Sequence, residues 1–500
     1  MPSTNALPRA LYTAQQVRAL DRAAIERFGI PGATLMERAG EAAFHRLSQL
    51  WPGAGRLLVL CGAGNNGGDG YVVARRARES GMEVVAVQVG DPERMSGDAH
   101  AAREAYVTGG GSVSTDLRFP RQADGIVDGL FGTGLERPVE GAWAEVIRAA
   151  NAHPAPVLSL DVPSGLHSDR GAVMGVAVEA VATISFIALK QGLFTGEGPA
   201  CAGRIFFDAL QVPASLYSRE ILSARRLDWD KQAILLGSRR RTAHKGHFGH
   251  VLVVGGERGF AGAARLAAEA AARVGAGLVS LATRPEHASN MIAGRPELMC
   301  HGAGSASDLD HLLERATVVA IGPGLGRSAW AGGLLEQVLQ TGLPLVLDAD
   351  ALNLLASKPR QRDNWVLTPH PGEAARLLGC TASEIQSDRF SAAARLQRRW
   401  GGVVVLKGAG TLVHGAGNRP VAVCTEGNPG MASGGMGDVL TGTVAGLIAQ
   451  GLALEDATET GVCVHGAAGD RAARDGERGL LAADLFPWLR RLVNPGAVVG

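Results

Sequence analysis

NPGMASGGMGDVLTGTVAGLI, residues 428–448, sets flexible glycines, one carboxylate and an apolar run in a single stretch. The apolar residues 439–448 predict a buried helix, with Gly434, Gly435 and Gly437 in the loop that enters it. Unpaired amides at a helix start carry about half a positive charge, and glycine lets the backbone approach an anion closely. Asp438 beside such a site suits removal of a proton while the amides stabilise charge developing on oxygen. An isolated Asp after G-x-G more often caps a helix, but the glycine density here favours an anion site with a base in it.

Working outward, buried-strand signals recur at 251–254, 277–282, 317–321, 343–347, 365–368 and 403–407, separated by helix-length segments. This is the grammar of a parallel sheet with crossover helices. Ligands of such sheets bind outside the carboxyl ends of the strands, so the turns IGPGLG, DADALN, TPHPGE and KGAGT are expected to face one crevice. The first half alternates likewise: helices at 13–28 and 33–50, then strands LLVL at 57–60, EVVAVQV at 83–89, GIVDGLF at 125–131, PVLSLDV at 156–162 and ATISFIAL at 182–189. The alternation lapses in the charged passage 212–231. Two α/β domains are therefore expected, 1–222 and 223–500, with no aligned sequence repeat between them.

Composition narrows the function classes. The 49 Lys+Arg against 48 Asp+Glu, a formal net charge of +1, offer no field for nucleic acid or an anionic membrane. Glycine is abundant at 69 residues and aromatics are scarce at 5%, which suits Gly-rich βα loops better than base-stacking platforms. Small-molecule partners follow. The six cysteines are scattered without C-x-x-C, which argues against a disulfide framework or a zinc site and fits a reducing cytoplasm. No signal pattern opens the chain, and the most apolar candidate span, 176–189, is short and broken by Glu179, so no membrane partner is expected.

After LLVL comes GAGNNGGDG, residues 62–70, which formally satisfies G-x-G-x-x-G through Gly62, Gly64 and Gly67. That pattern alone is weak. A dehydrogenase fingerprint runs directly into an apolar helix, whereas Asn65, Asn66 and Asp69 add polar side chains at the ligand turn; Asp91, a candidate ribose ligand, sits beside Pro92 and equally starts a turn. Two more strand ends, DGLFGTGLERPV from Asp128 and SLDVPSG at 159–165, each bring a carboxylate. Asn66, Asp128 and the Ser164 region supply oxygen donors suited to a hard cation, leaving Asp161 as a candidate acid or base. Either Asp alone would more simply cap a turn; three oxygen-rich loops at successive strand ends weaken that reading. His244, His247 and His250 form H-x-x-H-x-x-H, but they enter a strand through glycines and need not share a face, so spacing alone does not make a metal site.

GNNGGDG, DGLFGTG and LDVPSG, followed in order by HKGHFGHVLVVGG, IGPGLG, DADALN, TPHPGE, KGAGT and NPGMASGGMGDVLTG, resemble the bifunctional NAD(P)H-hydrate repair enzymes over essentially the whole chain. The resemblance implies a Rossmann-like three-layer epimerase domain and a ribokinase-like, ADP-dependent dehydratase domain. It implies that Asn65, Asn66, Gly67, Gly68 and Asp69, with Gly132, Thr133, Gly134, Leu135, Glu136, Arg137 and Pro138, embrace hydrated NADH or NADPH (NADHX, NADPHX). Asp161 would bind the nicotinamide end and handle the proton as R and S forms interconvert at C6. Potassium would lie on Asn66, Asp128 and Ser164. In the second domain it implies Ala263, Gly324, His370 and Asp438 against the hydrate, and Lys407, Gly408, Ala409, Gly410, Thr411 and Gly437 against the nucleotide. Asp438 would be the base, Mg2+ would accompany ADP or ATP, and the chain would form a homo-oligomer.

From the residues alone, Lys407 at a strand end can meet phosphate as a point charge, while lysine is also a common surface residue. His370 between two prolines suits a crevice rim, though a strand-end histidine is more often structural. A small-alcohol kinase of the ribokinase type would use the second domain equally well but leaves the first unexplained. A noncatalytic dinucleotide-binding module leaves Asp438 without a task. No Walker A sequence occurs, which argues against a P-loop enzyme.

Overall fold

A computed structural model describes residues 7–117, 119–120 and 122–494. The expectation about the first residues of the chain falls partly on 1–6, outside the described residues. The chain divides into two compact units, 1–225 and 226–500.

In the first unit, Thr13 opens the helix Ala14–Glu26 with a capping box: its Oγ1 accepts the Gln16 amide and its own amide donates to Gln16 Oε1 at 3.0 Å. Ala14, Val17, Leu20 and Ala24 then recur at helical spacing and are buried. The strands are β1 (Ala10–Leu11), β2 (Arg56–Cys61), β3 (Glu83–Gln88), β4 (Val113–Ser114), β5 (Gly125–Gly129), β6 (Val157–Leu160), β7 (Ala182–Phe186) and β8 (Arg204–Asp208), and β9 (Ala224–Leu227) runs across the division between the units. β1 pairs antiparallel with the start of β9, Ala10 opposite Arg225. Seven strands form an all-parallel sheet in the order β4-β3-β2-β5-β6-β7-β8. The chain leaves β2 in one direction along the sheet and returns to build β5 on its other side. That reversal opens a crevice at the carboxyl ends of β2 and β5.

The second unit repeats the device. Its strands are β10 (His250–Val254), β11 (Leu278–Thr283), β12 (Met299–Gly302), β13 (Val318–Ile321), β14 (Leu345–Leu347), β15 (Trp365–Leu367), β16 (Val403–Leu406), β17 (Thr411–His414) and β18 (Val421–Cys424). They lie in the order β18-β17-β16-β15-β14-β13-β10-β11-β12, parallel from β16 onward and antiparallel across β16, β17 and β18. The switch point falls between β10 and β13. The central strands are buried along their length, as helices on both faces require.

The helix Met436–Ala449 starts earlier than the apolar run predicts. Gly435, left-handed at φ 91°, is its cap, so Gly437 and Asp438 lie in the first turn and only Gly434 and Gly435 in the entering loop. An apolar window sees the buried face and misses a first turn whose side chains serve the site. Asp438 is not the cap. The same correction applies in the first unit, where the helix Asn65–Glu79 takes up the whole NNGGD segment. Farther along, Gly442 lets the helix Met436–Ala449 approach Ala261–Arg273: a Cβ there would sit 1.9 Å from the Ala267 carbonyl oxygen. Among the described residues no helix is long and apolar enough to cross a membrane.

Candidate active sites

In the second unit the ends of three strands meet the start of a helix. Lys407 follows β16, Asp348 follows β14, Glu373 lies in the helix Pro371–Leu378 after β15, and Asp438 comes from the helix Met436–Ala449. Lys407 Nζ is 2.7 Å from Asp348 Oδ1 and 3.8 Å from Glu373 Oε2. Thr441, one turn beyond Asp438, donates to Asp348 Oδ2 at 2.9 Å. Gly437 closes the group, since a Cβ there would lie 3.3 Å from Lys407 Nζ and 3.4 Å from Asp348 Oδ2. Asp348 is buried, and the following Ala349 takes a left-handed backbone at φ 47°, the kind of strain that clusters at functional turns.

These charges set one another. Burial, with the like charge of Asp348, pushes the Asp438 carboxyl up to about 7, against the pull of Lys407. Burial alone would lower Lys407, yet Asp348, Glu373 and Asp438 hold it above its ordinary value. A carboxyl that exchanges its proton near neutrality, beside an ammonium and a helix start, can act as base to a hydroxyl while its neighbours receive phosphate charge.

The KGAGT turn is the hairpin joining β16 to β17. Gly408 and Gly410 have φ 132° and 62°, and Thr411 Oγ1 donates to the Gly408 carbonyl at 2.9 Å. Behind it lies Arg389, wholly buried, donating to the Leu406 and Lys407 carbonyls at 3.1 and 3.2 Å; burial brings its guanidinium down to about 10. His370 is the cap of Pro371–Leu378: its Nδ1 accepts the Gly372 amide at 3.0 Å, and burial followed by Lys407 lowers its pKa. Its Nε2 stands 3.4 Å from Glu373 Oε1, and the ring is half exposed at the rim. Gly324 and Ala263 meet at the β10–β13 switch point, where a Cβ on Gly324 would be 3.1 Å from that of Ala263 and 2.3 Å from the Phe260 carbonyl. His250 points into the core, with Nε2 2.8 Å from Ser280 Oγ, and so turns away from the stacked pair His244 and His247.

In the first unit Asn66, Gly67 and Gly68 are buried in the first turn after β2, with Asn65 exposed and Asp69 partly covered. Close packing demands the glycines: a Cβ on Gly67 would be 1.9 Å from the Gly62 carbonyl and one on Gly68 2.6 Å from Met36 Sδ. Asn66 Nδ2 donates to the Phe131 carbonyl at 2.9 Å, while its Oδ1 is buried without a protein partner. Ser164 Oγ donates to Asp128 Oδ1 at 2.5 Å and accepts the Phe131 amide at 2.8 Å. Asp128 Oδ2 also receives Ser159 Oγ and the Ser164 amide, each at 2.8 Å. Burial raises its pKa, opposed by those hydrogen bonds. Asn66 and Ser164 thus meet on one backbone unit, Phe131, and Asp128 is linked to it through Ser164.

The loop of Gly132, Thr133, Gly134, Leu135, Glu136, Arg137 and Pro138 follows β5, so both motif loops flank the β2–β5 crevice. Arg18 reaches the Thr133 carbonyl at 3.4 Å. Asp161 faces this loop, its Oδ2 3.8 Å from a Cβ built on Gly132, and its own backbone is left-handed at φ 66°. Lys190, which sequence reading passes over, binds Asp161 Oδ1. Sequence reading does not single out Asp348, Glu373, Thr441 or Arg389 as site residues either. Three of them fall inside quoted motifs, Asp348 in DADALN, Glu373 in TPHPGE and Thr441 in NPGMASGGMGDVLTG, whereas Arg389 lies in none.

The fold defines a two-unit α/β protein whose second half is ribokinase-like. A ribokinase-like superfamily protein from Enterococcus faecalis matches 54% of this chain and 95% of its own, at 30% identity and TM-score 0.50. The family described as NAD(P)H-hydrate dehydratase matches residues 251–491, and the YjeF-related protein N-terminus matches 32–192. The bifunctional NAD(P)H-hydrate repair enzyme of Coxiella burnetii is 51% identical over 97% of this chain and 99% of its own; that of Escherichia coli is 46% identical over 98% and 95%. The chain belongs to the bifunctional NAD(P)H-hydrate repair enzymes, as its motif resemblance implies.

Proposed function

We propose that the first unit interconverts the R and S forms of NADHX and NADPHX, and that the second dehydrates the S form to NADH or NADPH with ADP or ATP. The observation that carries this reading is Asp438, a base near neutrality in the first turn of a glycine-entered helix, beside Lys407 and Asp348. Asp438 takes the proton of the hydrate hydroxyl as that oxygen attacks the terminal phosphorus of the nucleotide. The amides around Gly434, Gly435 and Gly437 and the Lys407 ammonium receive the phosphoryl charge. The hydroxyl, a poor leaving group, departs as phosphate, and loss of a ring proton restores the double bond.

Lys407, Gly408, Ala409, Gly410, Thr411 and Gly437 hold the nucleotide in this reading, with Ala263, Gly324 and His370 against the hydrate. Mg2+ neutralises nucleotide phosphates when bound. Among the described residues no group of three or more His, Cys, Asp or Glu side chains forms a metal cage, which suits an ion carried in on phosphates with Asp348 nearby.

In the first unit Asp161 exchanges protons with the C6 hydroxyl. Departure of that hydroxyl as water, assisted by the adjacent ring nitrogen, and return of water to the other face invert the centre. The loops holding Asn65, Asn66 and Asp69 and Gly132 to Pro138 embrace the dinucleotide. Potassium fits Asn66, Asp128 and Ser164, because Asn66 Oδ1 is buried without a protein partner beside a buried carboxylate and hydroxyl. When bound it would supply positive charge beside Asn66, Asp128 and Ser164; the protein side chains carry the proton chemistry.

The test of the second unit is to supply pure S hydrate with ADP or ATP and follow reduced-nicotinamide absorbance. Restoration with either nucleotide is expected; none with either rules the reading out. The kinase alternative predicts a stable phosphorylated alcohol instead.

A further inference from the structure

Lys190 ends the segment after β7 and is fully buried. Its ammonium has three protons, and all three have acceptors: Asp161 Oδ1, Ser185 Oγ at 3.2 Å and the Phe186 carbonyl at 2.9 Å. The lysine is therefore fixed in direction. Asp161 Oδ1 also accepts the Phe186 amide at 3.2 Å, so one carboxylate oxygen is held by two donors. Among the described residues Oδ2 accepts no hydrogen bond, and it faces Gly132 and Asn66 across the crevice. The left-handed backbone at Asp161, anchored by its amide to the Ile184 carbonyl at 2.7 Å, prevents the carboxylate from turning with its chain.

Two more carboxylates belong to this cluster. Asp21 comes from the helix Ala14–Glu26 and Asp69 from Asn65–Glu79; each feels both Asp161 and Lys190. Tyr217, whose hydroxyl donates to the Ile187 carbonyl at 2.6 Å, faces Asp21. Burial raises both carboxyls, Asp21 to about 6 and Asp69 well above its ordinary value. The Lys190 ammonium is nonetheless directed at Asp161, because its three acceptors are Asp161 Oδ1, Ser185 Oγ and the Phe186 carbonyl, and neither Asp21 nor Asp69 is among them.

We infer that Lys190 is a positioning residue for the R/S interconversion: it clamps Asp161 through Oδ1 and presents Oδ2 alone to the C6 hydroxyl of the hydrate. This rests on the proposed epimerase reading of the first unit. Lys190 touches no substrate and acts through Asp161, so a fixed oxygen, not a stronger binding site, is what it contributes.

The test uses the full chain without nucleotide, following R to S interconversion by chromatography above the spontaneous rate. Lys190→Met is expected to lower kcat by about tenfold or more with KM changed less than about twofold, the signature of a loss felt only in the transition state. Lys190→Arg, which keeps the charge, restores most of the rate. Lys190→Met combined with Asp161→Asn falls no further than Asp161→Asn alone, since both remove one unit of function. A Lys190→Met variant as fast as wild type, or losses that multiply in the double variant, overturns the inference. Should Lys190→Met fail to fold by circular dichroism, Ser185→Ala frees one ammonium proton, and its kcat falls several-fold if the clamp matters; an unchanged kcat overturns it. If the wild-type chain itself does not accelerate interconversion, the epimerase reading has failed, and that outcome is read before any variant.

Discussion

In the proposed function Asp438 is the base of the second unit, and its environment then makes opposite demands on stability and activity. The folded chain holds a proton on this carboxyl up to about pH 7, whereas a free carboxyl releases it near 3.8. Stability from this group is thus full below about 4 and is lost as pH rises through 7, while the population of active base grows over the same range. The rate of S-hydrate dehydration by the free enzyme is expected to climb with pH to a plateau above about 7. Asp438→Asn should lower that rate by roughly 10²–10⁴-fold yet melt higher than wild type at pH 8, as differential scanning calorimetry would read. Lys407 opposes the rise, so Lys407→Met should shift the acid limb toward higher pH and weaken nucleotide binding. An unmoved limb would mean that Lys407 does not face the base. In the first unit, Asn66 Oδ1 and Asp128 predict an alkali-metal requirement: exchanging K+ for Li+ should slow R/S interconversion and leave S-hydrate dehydration unchanged.

At the scale of elements, function depends on how closely the helix Met436–Ala449 can sit on Ala261–Arg273. Gly442 provides that approach, and Gly442→Ala must displace a backbone carbonyl only 1.9 Å away. A loss of about 1–3 kcal/mol is expected, seen as a lower melting temperature with a weakened dehydratase, because the same helix carries Asp438 in its first turn. The central strands and the early helices are legible in the sequence, since uninterrupted apolar runs and a Thr-x-x-Gln cap carry their own signals. β12, β17, β18 and β8 are not: MCHG, TLVH and RIFFD are mixed in polarity, and the apolar VAVC is only four residues long and follows Arg419 and Pro420, so each looks like loop. The first turns at Asn65 and Met436 are missed for a related reason, because glycine-rich anion-binding turns carry no apolar period. Asp438 could be chosen from its neighbours along the chain. Lys190 and Arg389 could not, since the partners that tie them to the sites, Asp161 for one and the Leu406 and Lys407 carbonyls for the other, are distant in the chain and are brought close only by tertiary packing.

Over the whole molecule, two α/β units each place polar loops at a topological switch point, β2–β5 in one and β10–β13 in the other. In the proposed function each unit carries one reaction: stereochemical correction at Asp161, removal of water at Asp438. These are separable by substrate, because the S form needs only the second activity and the R form needs both. The most direct test supplies pure R hydrate with ADP or ATP and K+, at a time when spontaneous inversion is negligible. Stereoisomers are followed by chromatography and repaired cofactor by absorbance. Wild type is expected to restore the reduced cofactor, while Asp438→Asn converts R to S and stops there. Failure of wild type to restore it, or restoration at full rate by Asp438→Asn, would contradict the account.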